Sequence, residues 1–280
     1  MTADPRPAWS TAFEADAVRP SEPIPHLDDI TPEWAWGGST GKGVKVAVID
    51  SGVDAGHPAV GHVEGYASVE GPIGGTISTE PHEDAFGHGT ACAGIIRSLA
   101  PDCELYSIRV LGPRLRGRGP VFARGLQWAI ENRMNVCNMS LGSTRRDLFE
   151  PLHDLTDKAY FRNIVLVTAA NNVPIASAPS LYAAVVSVAA HEVQDPTLVY
   201  CNPDPPVEFG ASGIDVRVAW RDGGWLTATG NSFAAPHISG LVAKILAKHS
   251  GLAVFHVKAI LRAVAANLAP TQGASSAAAR

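Results

Sequence analysis

The stretch VKVAVIDSG, Val44–Gly52, is apolar at every position from Val44 to Ile49 except Lys45, ends on Asp50 and turns at once through Ser51 and Gly52. A strand with apolar residues at consecutive positions has both faces covered, as in a parallel sheet between two helix layers. The sequence downstream keeps that rhythm. Residues 89–100 read as helix, 104–111 as strand, 120–134 as helix with a proline allowed in its first turn, and 135–142 as strand. Residues 147–163 then read as helix, 164–170 and 185–190 as strands, and two C-terminal helices follow. The pattern predicts an α/β fold, a mostly parallel twisted sheet with helices on both faces. In such sheets ligands bind beyond the carboxyl ends of the strands. Asp50 stands at such an end, a position that turn-forming aspartates also favour.

The totals set the frame. A chain of 280 residues suits one large α/β domain, and 46% hydrophobic with 18% charged residues is a globular composition. A net charge of −5 excludes a nucleic acid or a membrane surface as the expected partner. The locally basic RVLGPRLRGRG, Arg109–Gly119, reads as a solvated surface loop. The N-terminus has neither the basic start nor the apolar core of a signal peptide, and no run of 18 apolar residues spans a membrane. Cys92, Cys103, Cys137 and Cys201 show no CxxC or zinc spacing, so free thiols and a cytoplasmic location are expected. The expected organisation is a flexible arm over 1–25, one domain over 26–270 and a disordered tail over 271–280.

Two further stretches carry polar groups at the heads of helices. In GNSFAAPHISG, Gly230–Gly240, Ser232 precedes apolar residues at 238, 241, 242, 245 and 246, one helical face. Proline is tolerated in a first turn, so Pro236 predicts a helix starting near Ser232. Small Ala234, Ala235 and Gly240 allow other segments to approach closely. Ser232 is then either an N-cap or a nucleophile beside the positive end of the helix. A serine hydroxyl needs a base, and DAFGHGTACAG, Asp84–Gly94, offers His88 at the start of another helix. An ordinary surface histidine is the bland alternative.

Taken together, these motifs resemble the subtilisin-like (subtilase) serine peptidases, in the chain order Asp, His, Ser. The resemblance covers residues 26–268. It implies that Asp50, His88 and Ser232 form a catalytic triad. NVCNMSLGS resembles the family's substrate strand and specificity-pocket wall, carried here by Ser140, Leu141 and Gly142. VLVTAANN resembles the family's Ala-Ala-Gly-Asn, which places the oxyanion donor on Asn172. Asn171 replaces the usual glycine, and asparagine tolerates the left-handed backbone that such a turn would need. Several features depart from the family pattern. Ala91 replaces a non-triad histidine, and Cys92, one turn after His88, resembles the thiol-bearing subgroup of proteinase K and the kexin-like convertases, which predicts inhibition by bulky mercurials. The nucleophile motif reads Gly-Asn-Ser-Phe, and VRVAWRDGG stands where an Ala-Pro-Gly is usual. The calcium-loop insert after the histidine helix is missing, and no folding prodomain is expected, so neither a metal nor a cofactor is predicted.

A phosphate-loop reading of WGGSTGKGVKVAVIDSG fails, because Trp36 stands where the first glycine belongs and the glycines precede the strand. His57, His62 and His82 lack metal-ligand spacing. The expected function is a serine endopeptidase acting on a peptide or protein through an acyl-enzyme, with selective processing of a precursor or leader peptide as the finer expectation. The alternatives are a peptide-binding protein with a silent triad and an acyl-transferring ligase or cyclase. Val173 and Pro174, with no acid nearby, favour an uncharged or apolar side chain beside the scissile bond. Oligomeric state is left open.

Overall fold

The computed structural model describes residues 25–71 and 75–268. The expected tail, and the expected arm apart from Pro25, lie outside them. The elements in chain order are α1 (Pro32–Trp36), β1 (Lys45–Asp50), β2 (Gly65–Val69), β3 (Ile77–Ser78), α2 (His88–Leu99), β4 (Glu104–Arg109), α3 (Gly119–Glu131) and β5 (Val136–Met139). Then come α4 (Phe149–Tyr160), β6 (Val165–Ala169), β7 (Val186–His191), β8 (Tyr200–Cys201), β9 (Phe209–Ser212), β10 (Val216–Trp220), β11 (Gly224–Ala228), α5 (Asn231–Lys248) and α6 (Val254–Ala263). Nine strands form one sheet in the order β3-β2-β4-β1-β5-β6-β7-β9-β8. The run from β2 to β9 is parallel, and the short edge strands β3 and β8 pair antiparallel. β1 lies between β4 and β5, so Asp50 ends a strand near the middle of the sheet.

The apolar run of β1 serves two cores, because successive strand side chains point to opposite faces. Val46 and Val48 join Cys92, Ile96, Ile238 and Leu241 on the side of α2 and α5. Ala47 and Ile49 join Phe122, Leu126, Leu152 and Leu155 on the side of α3 and α4. Each cluster contains fully buried aliphatic side chains, each worth about 1.5–3 kcal/mol of transfer free energy.

α5 departs from the single apolar face expected for it. It is buried continuously from Phe233 to Ala243, with α2 packed against it. The small residues serve this close approach: a Cβ on Gly240 would stand 2.8 Å from Leu99 Cβ. Pro236 also lies deeper than expected. The helix begins at Asn231 after a Gly230 cap, which puts the proline in the second turn. There it removes the N–H that would bond the carbonyl four residues back, that of Ser232.

The segment VRVAWRDGG forms β10 and the turn of a β10–β11 hairpin. Asp222 (φ 60°) and Gly223 (φ 70°) both take positive φ, and the Gly224 N–H donates to Arg221 O at 3.3 Å, a turn of the I′ kind that Asp-Gly favours. Val216 and Val218 of the hairpin close a third cluster with Ala91, Ile95 and Phe233.

In the last turn of α2, Arg97 gathers four backbone carbonyls. Its guanidinium donates to Val60 O (3.0 Å), Pro101 O (2.7 Å), Cys103 O (2.7 Å) and His62 O (2.8 Å). A fixed side-chain cation therefore ties the short α2–β4 connection to the loop before β2. Two results are expected. Chelator should move the melting temperature by less than about 2 °C, whereas a fall of about 10 °C or more would reveal a tightly bound ion. Arg97→Ala, which strands partly exposed carbonyls, should cost about 2 kcal/mol, read as a fall of roughly 4–8 °C.

Candidate active site

Asp50 and His88 meet at the carboxyl end of β1. His88 Nδ1 lies 2.9 Å from both Asp50 Oδ1 and Oδ2. The Ser51 N–H donates to Asp50 Oδ1 at 2.8 Å, and both members of the pair are buried. An acidic acceptor on Nδ1 fixes the tautomer that leaves Nε2 as the basic nitrogen. The pair sits close because Gly89 has no side chain: a Cβ there would stand 2.0 Å from Gly52 O.

Asp84 organises the head of α2. Its Oδ1 accepts from Ser51 Oγ (2.7 Å) and from the N–H groups of Phe86 (2.9 Å) and Gly87 (2.8 Å). Its Oδ2 accepts from Thr90 N (2.8 Å) and Thr90 Oγ1 (2.6 Å). Ser51 Oγ in turn accepts from Gly89 N at 3.1 Å. A buried carboxylate at a helix N-terminus satisfies its free donors and its dipole together. None of the motifs above includes this role for Asp84, although an aspartate a few residues before a helix is a capping signal.

Burial opposes the charged imidazole of His88. The Asp50 carboxylate, through its charge and its hydrogen bond, outweighs that with help from Asp84, so the pKa is raised above the ordinary 6.5. A raised folded pKa stabilises the fold below about pH 6.5, and that contribution is lost as pH rises through the folded value. Activity has the opposite sense, since a base must be neutral. The acid limb of kcat/KM should therefore have its midpoint above 6.5; a profile flat down to about pH 4.5 would remove His88 from the role of base.

Ser232 is the second residue of α5, half-buried, with no hydrogen-bond partner for its Oγ among the described residues. It is not an N-cap, since Gly230 holds that place. Phe233, the next residue, packs on the His88 ring with centroids 5.4 Å apart. The Ser232 carbonyl, deprived of its helical donor by Pro236, accepts from Ser140 Oγ at 2.7 Å and lies 3.6 Å from Cys92 Sγ. Ser140 is itself held by Asn138 Nδ2 at 3.1 Å, and Asn138 Oδ1 accepts from Ser239 Oγ at 3.0 Å. The structure thus puts the Ser140 side chain against the Ser232 carbonyl, while Leu141 and Gly142 line a neighbouring cleft.

Two of the first four N–H donors of α5 are committed. The Asn231 N–H donates to Asn172 Oδ1 at 2.9 Å, and the Phe233 N–H to Gly230 O at 3.0 Å. Between them the Ser232 N–H has no partner among the described residues. The bond from Asn231 also orients the Asn172 amide, because only its oxygen can accept, so Nδ2 remains a donor. A Cβ on Gly230 would lie 3.3 Å from Ser232 Oγ and 3.6 Å from the Asn172 amide atoms, so both side chains converge there. Asn231 clamps the surrounding loops: its Oδ1 accepts from Ala190 N (2.8 Å) and its Nδ2 donates to Ala170 O (3.2 Å) and Asn171 O (3.0 Å). Asn171 does not use the left-handed backbone anticipated for it. Its Oδ1 accepts from the Val173 N–H at 3.1 Å, a side-chain turn that stands in for a glycine.

All four cysteines are buried and unbridged. Cys92 is fully buried, and burial first, then the Asp50 charge, pushes its thiol well above the ordinary range. The expectation of ready inhibition by bulky mercurials is revised accordingly, because a neutral, enclosed thiol is a poor target. Among the described residues, the one group of metal-capable side chains is Asp50, His88 and Cys92, which belongs to this site.

A buried Asp–His pair, a helix-head serine and an open pair of donors thus lie close together at the carboxyl end of a parallel α/β sheet. Residues 41–278 match the Subtilase family model, and the chain belongs to that family. It is 32% identical over 232 residues to minor extracellular protease Epr of Bacillus subtilis (strain 168), covering 78% of this chain and 34% of that protein. It is 33% identical over 227 residues to subtilisin E of the same strain, covering 76% of this chain and 58% of that protein. The chain therefore spans between about a third and three-fifths of these relatives' length. A solved structure titled S41 psychrophilic protease superposes with a TM-score of 0.68 at 26% identity, covering 81% of this chain and 86% of that one.

Proposed function

We propose that the protein is a serine endopeptidase that cleaves peptide bonds through an acyl-enzyme. The observation that carries this reading is the pairing of buried Asp50 and His88, with Phe233 next to Ser232 packed on the imidazole and the Ser232 N–H left open next to the Asn172 amide. Ser232 Oγ attacks the scissile carbonyl carbon and gives its proton to His88 Nε2. Asp50 stabilises the resulting imidazolium. The carbonyl oxygen takes the negative charge between the Ser232 N–H and Asn172 Nδ2, donors already in place before the charge forms. As the tetrahedral carbon collapses, the C–N bond breaks and His88 passes its proton to the leaving amine. Water then repeats the sequence on the ester and frees the acid.

Val173 and Ile175, 51% and 58% exposed, follow Asn172 on the same loop and offer an apolar surface to the substrate. Among the described residues no helix is long and apolar enough to cross a membrane. The four unbridged cysteines suit a reducing compartment, and the cytoplasm is our proposed location. The deciding experiment is cleavage profiling of a peptide library with the Ser232→Ala protein as control. Cuts made by the wild type and absent from the control support the reading; cuts unchanged in the control overturn it. Selective processing of a precursor is the finer proposal, and it fails if an unfolded protein mixture is digested to random small peptides.

A further inference from the structure

The basic loop that follows β4 has no role in the chemistry above, yet it lies beside it. The loop is closed by two hydrogen bonds, Gly112 N to Arg116 O and Leu115 N to Gly112 O, both 3.0 Å. With the segment after β5 it walls a cleft of about 500 Å³, a volume within the range of ligand sites. Phe122, Leu141 and Leu148 supply apolar lining, and Arg116, Arg118 and Arg145 supply three guanidinium groups. Among the described residues no acidic side chain lines it. Arg145 is shared with Asp147 at 2.6 Å, while Arg116 stands exposed. The cleft opens at Ser140, whose hydroxyl holds the Ser232 carbonyl at 2.7 Å, so a peptide lying across Ser232 can reach it. In a chain of net charge −5, an arginine-lined apolar cleft next to the nucleophile is a local reversal of sign.

We infer that the arginines make this cleft select peptide substrates carrying an acidic side chain away from the scissile bond. The inference rests on the serine-peptidase reading and adds its substrate class. Charge complementarity identifies the occupant: guanidinium groups bind carboxylates through matched donors.

The test walks a single Glu or Lys through the positions flanking one fixed cleavable bond and reads kcat/KM. At one position Glu should be preferred over Lys by roughly tenfold, the scale of one or two partly exposed ion pairs. The preference should shrink as salt rises from about 50 mM to about 500 mM. In the Arg116→Glu/Arg118→Glu protein the Glu-to-Lys ratio should reverse. Equal cleavage of Glu and Lys peptides at every position overturns the inference, as does a preference that survives both high salt and charge reversal. Labelling by a fluorophosphonate separates the two levels. A protein that labels and cuts without acidic preference loses this inference alone. One that neither labels nor cuts loses the peptidase reading with it.

Discussion

Ser232→Ala should lose hydrolysis by roughly 10⁴-fold or more in kcat, a magnitude carried over from triad replacement in subtilisin. The fold should be untouched, since Ser232 Oγ has no hydrogen-bond partner among the described residues and its loss strands nothing. His88→Ala should lose as much activity for a different structural cost. It leaves the buried Asp50 carboxylate without the imidazole that faces both its oxygens. A buried carboxylate left with only the Ser51 N–H is costly, so this variant should melt earlier than Ser232→Ala. The double variant should be little slower than either single one, because the residues act as a unit. Turnover near the wild-type level in Ser232→Ala would refute the assignment.

Asn172→Ala should lower kcat roughly 10²- to 10³-fold and leave KM nearly unchanged, again a magnitude borrowed from the subtilisin oxyanion donor. The split follows from timing, since the charge on the substrate oxygen develops only in the transition state. Asn172 has a second duty as acceptor for the Asn231 N–H at the head of α5, so Asn172→Ala should also lose about 1 kcal/mol of helix capping. Asn172→Asp separates the two. It keeps the acceptor and suits the helix dipole, yet it sets a negative charge where the oxyanion forms. Its stability should match the wild type while kcat falls at least as far as in Asn172→Ala. A variant in which kcat tracks stability would reduce Asn172 to a cap.

The sequence made some of this legible and concealed the rest for identifiable reasons. Helix and strand periods, with Asp50 at a strand end and His88 at a helix start, are local patterns, and the parallel sheet follows from them. The β10–β11 hairpin is hidden when VRVAWRDGG is set against a family motif, although Asp222-Gly223 between alternating apolar residues is a turn signal in its own right. Proline is costly deeper in a helix, so the sequence points to a first-turn Pro236, whereas the helix carries it in the second turn. Its accommodation depends on Ser140, which takes up the freed Ser232 carbonyl from 92 residues away in sequence. The clamp made by Asn231 and the bond from Ser51 to Asp84 are likewise tertiary. Composition and spacing cannot show which backbone groups a buried amide or carboxylate will meet. The arginines at 116 and 118 read as a solvated loop because their neighbour, the cleft at Leu141, comes from a distant segment.

The central claim is that Ser232 is a nucleophile activated by the Asp50–His88 pair. Labelling with a fluorophosphonate, with the modified residue located by peptide mass mapping, tests it most directly. The account predicts one adduct, on Ser232, forming faster as pH rises through a midpoint above 6.5 and greatly slowed in His88→Ala. An intact, folded wild-type protein that resists the probe, or an adduct on any other residue, would contradict it.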